Sequence, residues 1–187
     1  MSRYSLIFSL AVGALLFSMT EASAQNAAPA ASAPAVQWFS WKEGITKATR
    51  ENKKILLYVY TPSCVWCRKM ERETFADETV AQLVKADFVA IKLNASDNAE
   101  LEFKGKTYRF VNSETGGCNG LAAELLGGRM SFPAVAFLDE TQQALQSLVG
   151  FKSAEDFGAI ATYYGKNYYQ TMPWSSFQKK YAAGGGR

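Results

Sequence analysis

Cys64 and Cys67 are the residues whose type and spacing can do chemistry. They follow an apolar run over residues 55–60 and precede a segment, 68–73, whose composition is typical of a helix. A thiol in the first turn of a helix meets unpaired backbone N–H groups and a partial positive charge, which lower its pKa and favour the thiolate. A second thiol one turn further on can attack a mixed disulfide and release the partner. The pattern therefore predicts reversible dithiol–disulfide chemistry.

Other uses of such a cysteine pair fit the sequence less well. A zinc site normally takes four Cys or His ligands, and this chain has no histidine and only one further cysteine, Cys118. A c-type haem site needs His after the second cysteine, where Arg68 stands. A purely structural disulfide would close a very small loop and stabilise little. We therefore expect no metal site and no cofactor.

Residues 1–24 have the pattern of a secretory signal peptide. Arg3 supplies a positive start, 6–17 is an apolar stretch too short to span a bilayer comfortably, and 22–24 reads Ala-Ser-Ala, a cleavage signal. The alternative is an uncleaved signal anchor. We expect cleavage before Gln25, no membrane span afterwards, and a location in the periplasm or outside the cell.

The charges are mixed along the chain. Twenty Lys and Arg oppose seventeen Asp and Glu, which gives a formal net charge of +3 without a basic stripe, so nucleic-acid binding is not indicated. A dithiol kept active outside the cytoplasm needs an electron source or sink. We expect protein disulfides as substrates and a protein redox partner, with a membrane electron donor as one candidate.

Composition divides the rest of the chain. Residues 25–36 are rich in Ala, Pro and Ser and predict a flexible leader. Residues 37–172 carry the apolar periodicity of one domain. Residues 173–187 form a C-terminal extension, and we expect its glycine-rich tail, 182–187, to be disordered.

The domain begins with a predicted helix over 40–52, capped by Ser40, and a strand over 54–61 that is apolar enough to be covered on both faces. Helical segments and a second strand over 88–93 follow, and this order makes a right-handed parallel crossover. The functional edge of such a sheet lies at the carboxyl ends of its strands. Thr61, which leads into the cysteine pair, and Asn94, which ends the second strand, should therefore both lie on that edge.

An insertion near residues 95–118 leaves from that edge. Its sequence predicts a β-hairpin of two strands, 101–103 and 107–111, around 104–106. A turn at Gly116 and Gly117 then leads to Cys118 at a helix start. The insertion should overhang the active edge, where it is either a partner-recognition element or a decorative hairpin. We hypothesise that Cys118 is a third redox thiol; the alternative is a free, partly buried cysteine.

The last elements are a strand over 131–138, a partner strand over 144–149 and a helix from Ser153 to about Tyr169. Pro133 stands near the start of the first of these strands, where its missing N–H is tolerated. Its preceding peptide bond is one that can be cis.

With these elements in this order, residues 38–170 outside the insertion resemble the thioredoxin fold, an α/β fold with a central mixed sheet flanked by helices. Over 55–93 the sequence Cys-Val-Trp-Cys, with the Arg-Lys-Met-Glu after it, resembles more narrowly the periplasmic thioredoxin-like domain of membrane thiol:disulfide interchange reductases. Small secreted thioredoxin-like proteins share this pattern.

The resemblance implies roles for the site residues. Cys64 would be the exposed nucleophile and Cys67 the buried resolving thiol, while Pro133 would be a cis-proline facing the disulfide. Phe132 would line the substrate groove, and we add the two residues inside the motif, Val65 and Trp66, to the predicted substrate-binding set.

Two positions depart from the family pattern. Thioredoxins often have a buried carboxylate six positions before the first cysteine, where this chain has Tyr58, and a Trp directly before that cysteine, where it has Ser63. The acid or base that serves the resolving thiol is therefore unassigned.

These observations predict an exported thiol–disulfide oxidoreductase, acting reductively by resemblance. One alternative is a disulfide oxidase or isomerase. Another is a non-catalytic thioredoxin-like binding or chaperone module that uses an aromatic-rich groove.

Overall fold

The computed structural model of the protein describes residues 35–113 and 116–184. The first part forms β1 (Trp38–Phe39), α1 (Trp41–Glu51), β2 (Lys54–Tyr60), α2 (Val65–Glu73), α3 (Glu78–Asp87) and β3 (Phe88–Asn94). The insertion forms β4 (Leu101–Phe103), β5 (Lys106–Tyr108), β6 (Phe110–Ser113) and β7 (Gly116–Asn119). The chain continues with α4 (Gly120–Leu125), β8 (Ala134–Leu138), β9 (Ala144–Val149), α5 (Ala154–Gly165), a 3₁₀ turn (Tyr168–Gln170) and α6 (Trp174–Ala183).

Five strands form one mixed sheet in the order β1-β3-β2-β8-β9. Strand β3 is parallel to both β1 and β2, whereas β8 is antiparallel to β2 and to β9. Tyr60 pairs with Asn94, so the carboxyl ends of β2 and β3 meet at one edge. The predicted fold class, a thioredoxin-like α/β fold with a central mixed sheet, is confirmed.

The central strand β2 separates two layers of the core. Ile55, Leu57 and Val59 pack in the cluster that includes α1 and α4, whereas Leu56 and Tyr58 pack in the cluster that includes α2, α3 and α5. All five side chains have no exposed surface. Because successive side chains of a strand point to opposite faces, an uninterrupted apolar run is what a strand covered on both sides requires.

The predicted helix caps are present. Ser40 Oγ accepts the Glu43 N–H and the Glu43 carboxylate accepts the Ser40 N–H, which makes a capping box. The Ser153 hydroxyl caps α5 by accepting the Asp156 N–H at 3.1 Å. Each cap accepts a hydrogen bond from a backbone N–H that the helix start leaves unpaired, and it stabilises the fold by about 1 kcal/mol.

Both ends of the domain extend further than predicted. Val36, assigned to the flexible leader, is only 6% exposed, and its N–H donates to the Phe75 carbonyl at 3.1 Å. At the other end α6 continues to Ala183, two residues into the tail expected to be disordered, and Phe177 is buried against α5. Apolar contacts therefore hold segments whose composition alone predicted little structure. The predicted signal peptide, the leader up to residue 34 and residues 185–187 lie outside the described residues.

The insertion contains two hairpins, not one. Strands β4 and β5 pair as predicted, but the second predicted strand is interrupted at Arg109, and its continuation β6 pairs with β7. Gly116 and Gly117, predicted as a turn, lie in β7. An added Cβ at Gly117 would clash with the Phe110 ring of the paired strand, so a larger residue there would require that ring to move.

Two predicted boundaries also shift. Helix α5 ends at Gly165 and not near Tyr169, and Asn167 takes a left-handed backbone with φ of 61° that stops the helix. Strand β8 begins at Ala134, after Pro133, because the proline has no N–H to give to a ladder. Within 35–113 and 116–184, no helix has the length and apolar content needed to cross a bilayer.

Candidate functional site

Cys64 is the residue at which helix α2 starts. Its backbone is extended (φ −72°, ψ 108°), and its N–H donates to the Thr61 carbonyl at 3.1 Å across the turn that leaves β2. Its Sγ accepts the N–H of Cys67 at 3.0 Å, in the place where a Ser or Asp usually caps a helix. The sulfur is therefore aimed at the unpaired donors of the helix start, which favours a thiolate in the reduced protein.

The structure joins Cys64 and Cys67 in a disulfide. Cys67 is 1% exposed and packs in the core, whereas Cys64 is half-buried at its margin. This difference in exposure fits an attacking Cys64 and a resolving Cys67, which stay predictions. A half-buried sulfur can be reached by a partner, and a fully buried one can be reached only from its neighbour.

Pro133 lies beside this edge, just before β8. Ala134 pairs with Val59, so Pro133 continues the strand past the end of that ladder towards the turn that carries the cysteines. The Phe132–Pro133 peptide bond is cis, as the resemblance implies, and the Pro133 carbonyl accepts the Gly150 N–H at 2.7 Å. Phe132 is half-buried and packs against both core clusters.

The two residues between the cysteines face outwards. Val65 is 66% exposed and Trp66 is 57% exposed. The Trp66 ring lies 5.9 Å from the ring of Phe151, and the Lys69 ammonium lies 5.3 Å from the centre of that second ring. An apolar surface that includes Phe151 therefore adjoins the disulfide, and the binding role of Val65 and Trp66 stays a prediction.

Tyr58 takes the position at which the family pattern has a carboxylate. Its hydroxyl lies 3.2 Å from the Cys67 carbonyl and 3.4 Å from a Glu71 carboxylate oxygen. Burial, and next the negative charge of Glu71, raise the pKa of Tyr58 far above its ordinary value, so the phenol stays protonated and acts as a donor. The Glu71 carboxylate forms an ion pair with Lys92 at 3.0 Å, and Lys92 lies 4.3 Å above the Tyr60 ring.

This cluster bears on proton transfer at the buried thiol. Tyr58 cannot take up a proton near neutrality, so it is not the base that sequence comparison leaves unassigned. Glu71 is the carboxylate nearest to this position in the hydrogen-bond network, and about a third of its side chain is exposed to solvent. The Tyr58 hydroxyl contacts the Cys67 carbonyl and not its sulfur, so the acid or base that serves the resolving thiol stays unassigned.

Cys118 lies in β7, opposite Val111, and not at a helix start as predicted; α4 starts at Gly120 after the cap Asn119. The Asn119 N–H donates to the Ala95 carbonyl at 2.8 Å, and the Ala95 N–H donates to the Tyr60 carbonyl at 2.8 Å. The segment that carries Cys118 is therefore tied to the carboxyl edge of the sheet. Cys118 is a free, half-buried thiol whose pKa is raised by burial, and its redox role stays a prediction.

The hairpin β4–β5 uses its apolar side chains inside the protein. Phe103 and Tyr108 are buried, the Trp41 indole donates to the Glu102 carbonyl at 3.0 Å, and the Tyr108 hydroxyl donates to Glu124 at 2.5 Å. These contacts fix the hairpin against α1 and α4, the layer on the other side of the sheet from α2. A recognition role for this insertion stays a prediction.

Sequence reasoning missed Glu71, Lys92 and Phe151 at this site. Glu71 follows Cys67 by four residues, so helical spacing alone would have placed it one turn further along the helix, on the same face as the buried thiol. Lys92 pairs with it only because β3 lies beside β2, and Phe151 arrives from a loop after β9. Neither contact has a local signal.

Solved structures with similar folds carry the same architecture. A thioredoxin-fold protein from Helicobacter pylori aligns with 71% of this chain and 82% of its own, at 21% identity and a TM-score of 0.51. A thioredoxin from Thermus thermophilus aligns with 68% of this chain and 85% of its own, at 17% identity and a TM-score of 0.50. At these identities the likeness shows the fold.

Among curated proteins, human spermatogenesis-associated protein 20 is 35% identical over 83 residues, which are 44% of this chain and 11% of that protein. The chain spans about a tenth of the length of the curated relatives it matches. A thioredoxin-like fold with a C-x-x-C pair fits a disulfide oxidoreductase. The sequence model of the family described as Thioredox_DsbH, a protein of unknown function (DUF255), matches residues 20–164, so the chain belongs to this thioredoxin-like family and the predicted resemblance is confirmed.

Proposed function

We propose that the protein is an exported thiol–disulfide oxidoreductase that reduces protein disulfides with the Cys64–Cys67 dithiol. One observation carries the proposal: Cys64 caps helix α2 with its sulfur on the Cys67 N–H, while its bonded partner Cys67 is buried. This arrangement supports an attacking thiolate at Cys64 and a resolving thiol at Cys67, one helical turn apart.

The reaction has two exchange steps. The Cys64 thiolate attacks one sulfur of a substrate disulfide, forms a mixed disulfide and expels the other substrate sulfur as a thiolate. The Cys67 thiol then loses its proton and attacks the Cys64 sulfur, which releases the second substrate thiol. The substrate disulfide gains two electrons and the protein pair becomes the disulfide. A protein redox partner, with a membrane electron donor as a candidate, then restores the dithiol.

The test uses pre-reduced protein mixed with insulin, whose reduction is followed by precipitation of its free B chain. Wild-type protein should reduce insulin, Cys64→Ser should not, and Cys67→Ser should accumulate a mixed disulfide that mass spectrometry detects. Equal activity of Cys64→Ser and wild type would remove Cys64 from the mechanism. Cys118→Ala in the same assay shows whether the third thiol takes part.

The direction of electron flow rests on the resemblance to reductases and needs its own measurement. Equilibration with thiol buffers gives the reduction potential of the pair. A value near that of thioredoxin, about −270 mV, supports reduction, and a value near −120 mV supports the alternative, oxidation of folding proteins.

The location also belongs to the proposal, supported by the signal-like residues 1–24. Amino-terminal sequencing of the protein from a fractionated cell should read from Gln25 in the periplasmic or secreted fraction. A protein that still starts at Met1 and is found in the cytoplasmic fraction would contradict export.

A further inference from the structure

The surface next to the disulfide is unusually apolar. Among the described residues, four large hydrophobic side chains are exposed, and two of them, Val65 and Trp66, lie inside the C-x-x-C. Large apolar side chains concentrated beside a reactive group commonly mark a contact surface, whereas scattered ones need no explanation. We call Trp66 and Phe151, whose rings lie 5.9 Å apart, the aromatic platform.

Phe151 is held firmly in the platform. The preceding residue, Gly150, has φ of 84° and donates its N–H to the Pro133 carbonyl at 2.7 Å. The following residue, Lys152, has its carbonyl bound by the Thr74 hydroxyl at 2.6 Å. Both neighbours of Phe151 are therefore fixed to the elements that form the redox site.

The Lys152 side chain adds to this rigidity. Its ammonium donates to the carbonyls of Val149, Gly150 and Phe151 at 2.9, 3.2 and 3.4 Å, so it closes the end of β9. A preformed surface loses little conformational entropy when a partner binds, which leaves more of the contact energy for affinity.

One cation lies over the platform. The Lys69 ammonium is 5.3 Å from the centre of the Phe151 ring, and its charge is balanced by the Glu73 carboxylate at 2.9 Å. The Trp66 ring next to it is largely exposed. A large apolar side chain of a substrate would remove this exposed ring surface from water.

We propose that Trp66 and Phe151 are specificity-determining residues that select protein disulfides whose reacting cysteine has an aromatic side chain beside it. This inference rests on the proposed disulfide-exchange function. The substrate aromatic ring packs on the platform while the neighbouring substrate sulfur meets Cys64. The reaction is the exchange described above. The protein dithiol supplies two electrons and becomes the disulfide, and the substrate disulfide is reduced to two thiols.

The experiment measures single-turnover exchange of pre-reduced protein with a matched pair of short peptides. Both carry one cysteine in a disulfide with the same small aromatic thiol, and they differ only in having Phe or Ser beside that cysteine. The rate ratio, Phe peptide over Ser peptide, is the readout. Because the reacting disulfide is the same in both peptides, a change in the protein's own potential cancels in this ratio.

Wild-type protein should favour the Phe peptide by about 2- to 12-fold, the range that one aromatic pair supplies. Trp66→Ala and Phe151→Ala should each bring the ratio close to one, and Phe151→Tyr should keep it. Tyr168→Ala is the matched control, because Tyr168 is an exposed aromatic residue that packs against Phe177 at 4.9 Å, away from the platform. That variant should keep the wild-type ratio.

The outcomes separate the two proposals. If reduced wild-type protein exchanges with neither peptide nor with a small aromatic disulfide, the proposed function fails. If it exchanges with both peptides at a ratio of one, or if the ratio survives both alanine substitutions, the function stands and the platform is not a specificity site. Phe151 lies outside the motif, so loss of the ratio in Phe151→Ala cannot come from altered thiol chemistry between the cysteines.

Discussion

Tyr58→Phe isolates what a phenol does in the position where the fold usually has a carboxylate. The ring should stay in place, because it packs 5.4 Å from the Trp38 ring and 4.9 Å from the Phe75 ring, with no exposed surface. The substitution removes only the hydroxyl, which lies 3.2 Å from the Cys67 carbonyl and 3.4 Å from Glu71.

The expected loss of stability is that of one buried hydrogen bond, about 1 kcal/mol. The bond to Glu71 is long and adds little, since that carboxylate keeps its ion pair with Lys92 at 3.0 Å. For a domain of this size the loss corresponds to a fall in Tm of about 2–4 °C. Thermal unfolding of the oxidised wild type and variant measures this fall in Tm. The control is Tyr60→Phe, which removes the hydroxyl of a half-buried tyrosine on the same strand.

The pH dependence of stability should change as well. The pKa of Tyr58 is raised in the folded protein, so its contribution is fully present below the unfolded value of about 10 and is lost as pH rises above it. Burial raises the pKa of Tyr164 in the same direction, so wild type and variant both lose stability in strong alkali. The free energy of unfolding of Tyr58→Phe should fall less steeply above pH 10 than that of wild type.

The disulfide-exchange rate provides the decisive comparison. A phenol that stays protonated donates a hydrogen bond but does not titrate between pH 6 and 9, so Tyr58→Phe should keep the shape of the wild-type pH–rate profile. A titration that disappears from this profile in the variant, or a rate that falls far more than the stability loss explains, would refute the assignment of Tyr58 as a donor only.

Three further expectations follow from packing and burial. Gly44→Ala should lower the free energy of unfolding, measured by urea titration, by about 1–3 kcal/mol, because the new Cβ would clash with the Ile91 side chain. Gly158→Ala is the control: its nearest neighbour would be 3.5 Å away, so this change should be neutral or stabilising. Phe177→Ala should lower the free energy of unfolding by about 3–5 kcal/mol and make α6 sensitive to protease, because Phe177 is buried. An unchanged free energy of unfolding would show that α6 contributes little to the folded domain. In the oxidised protein Cys118 should be the one thiol that is alkylated. Alkylation should be slow at neutral pH, because burial raises the pKa of this thiol, and fast labelling at pH 7 would contradict a buried environment.

Local pattern was enough to predict the elements that position the site. The apolar run predicts β2. A single residue type at one position predicts each of the helix caps Ser40 and Ser153, and the proline predicts the start of β8. The cysteine pair at the start of α2 likewise follows from spacing. These features depend on neighbours within a few residues, so the sequence states them directly.

The residues that could not be predicted are brought in by tertiary contacts. Phe151 reaches Trp66 because β9 returns beside β8, and Lys92 reaches Glu71 because β3 lies beside β2. Val36 follows a stretch rich in Ala, Pro and Ser that is typical of a linker, and its contact with Phe75 makes it part of the core. Periodicity carries no information about such partners.

The borders of the five-stranded sheet bear on how molecules of this protein meet one another. On one side the outermost strand, β1, has two residues, so it offers few open amides and carbonyls to a neighbouring chain. On the other side Arg129 donates to the Ser147 carbonyl at 3.2 Å and to its hydroxyl at 2.9 Å, which blocks part of β9. Each of these features reduces the backbone that the folded protein offers to a neighbouring molecule at that point of the sheet edge.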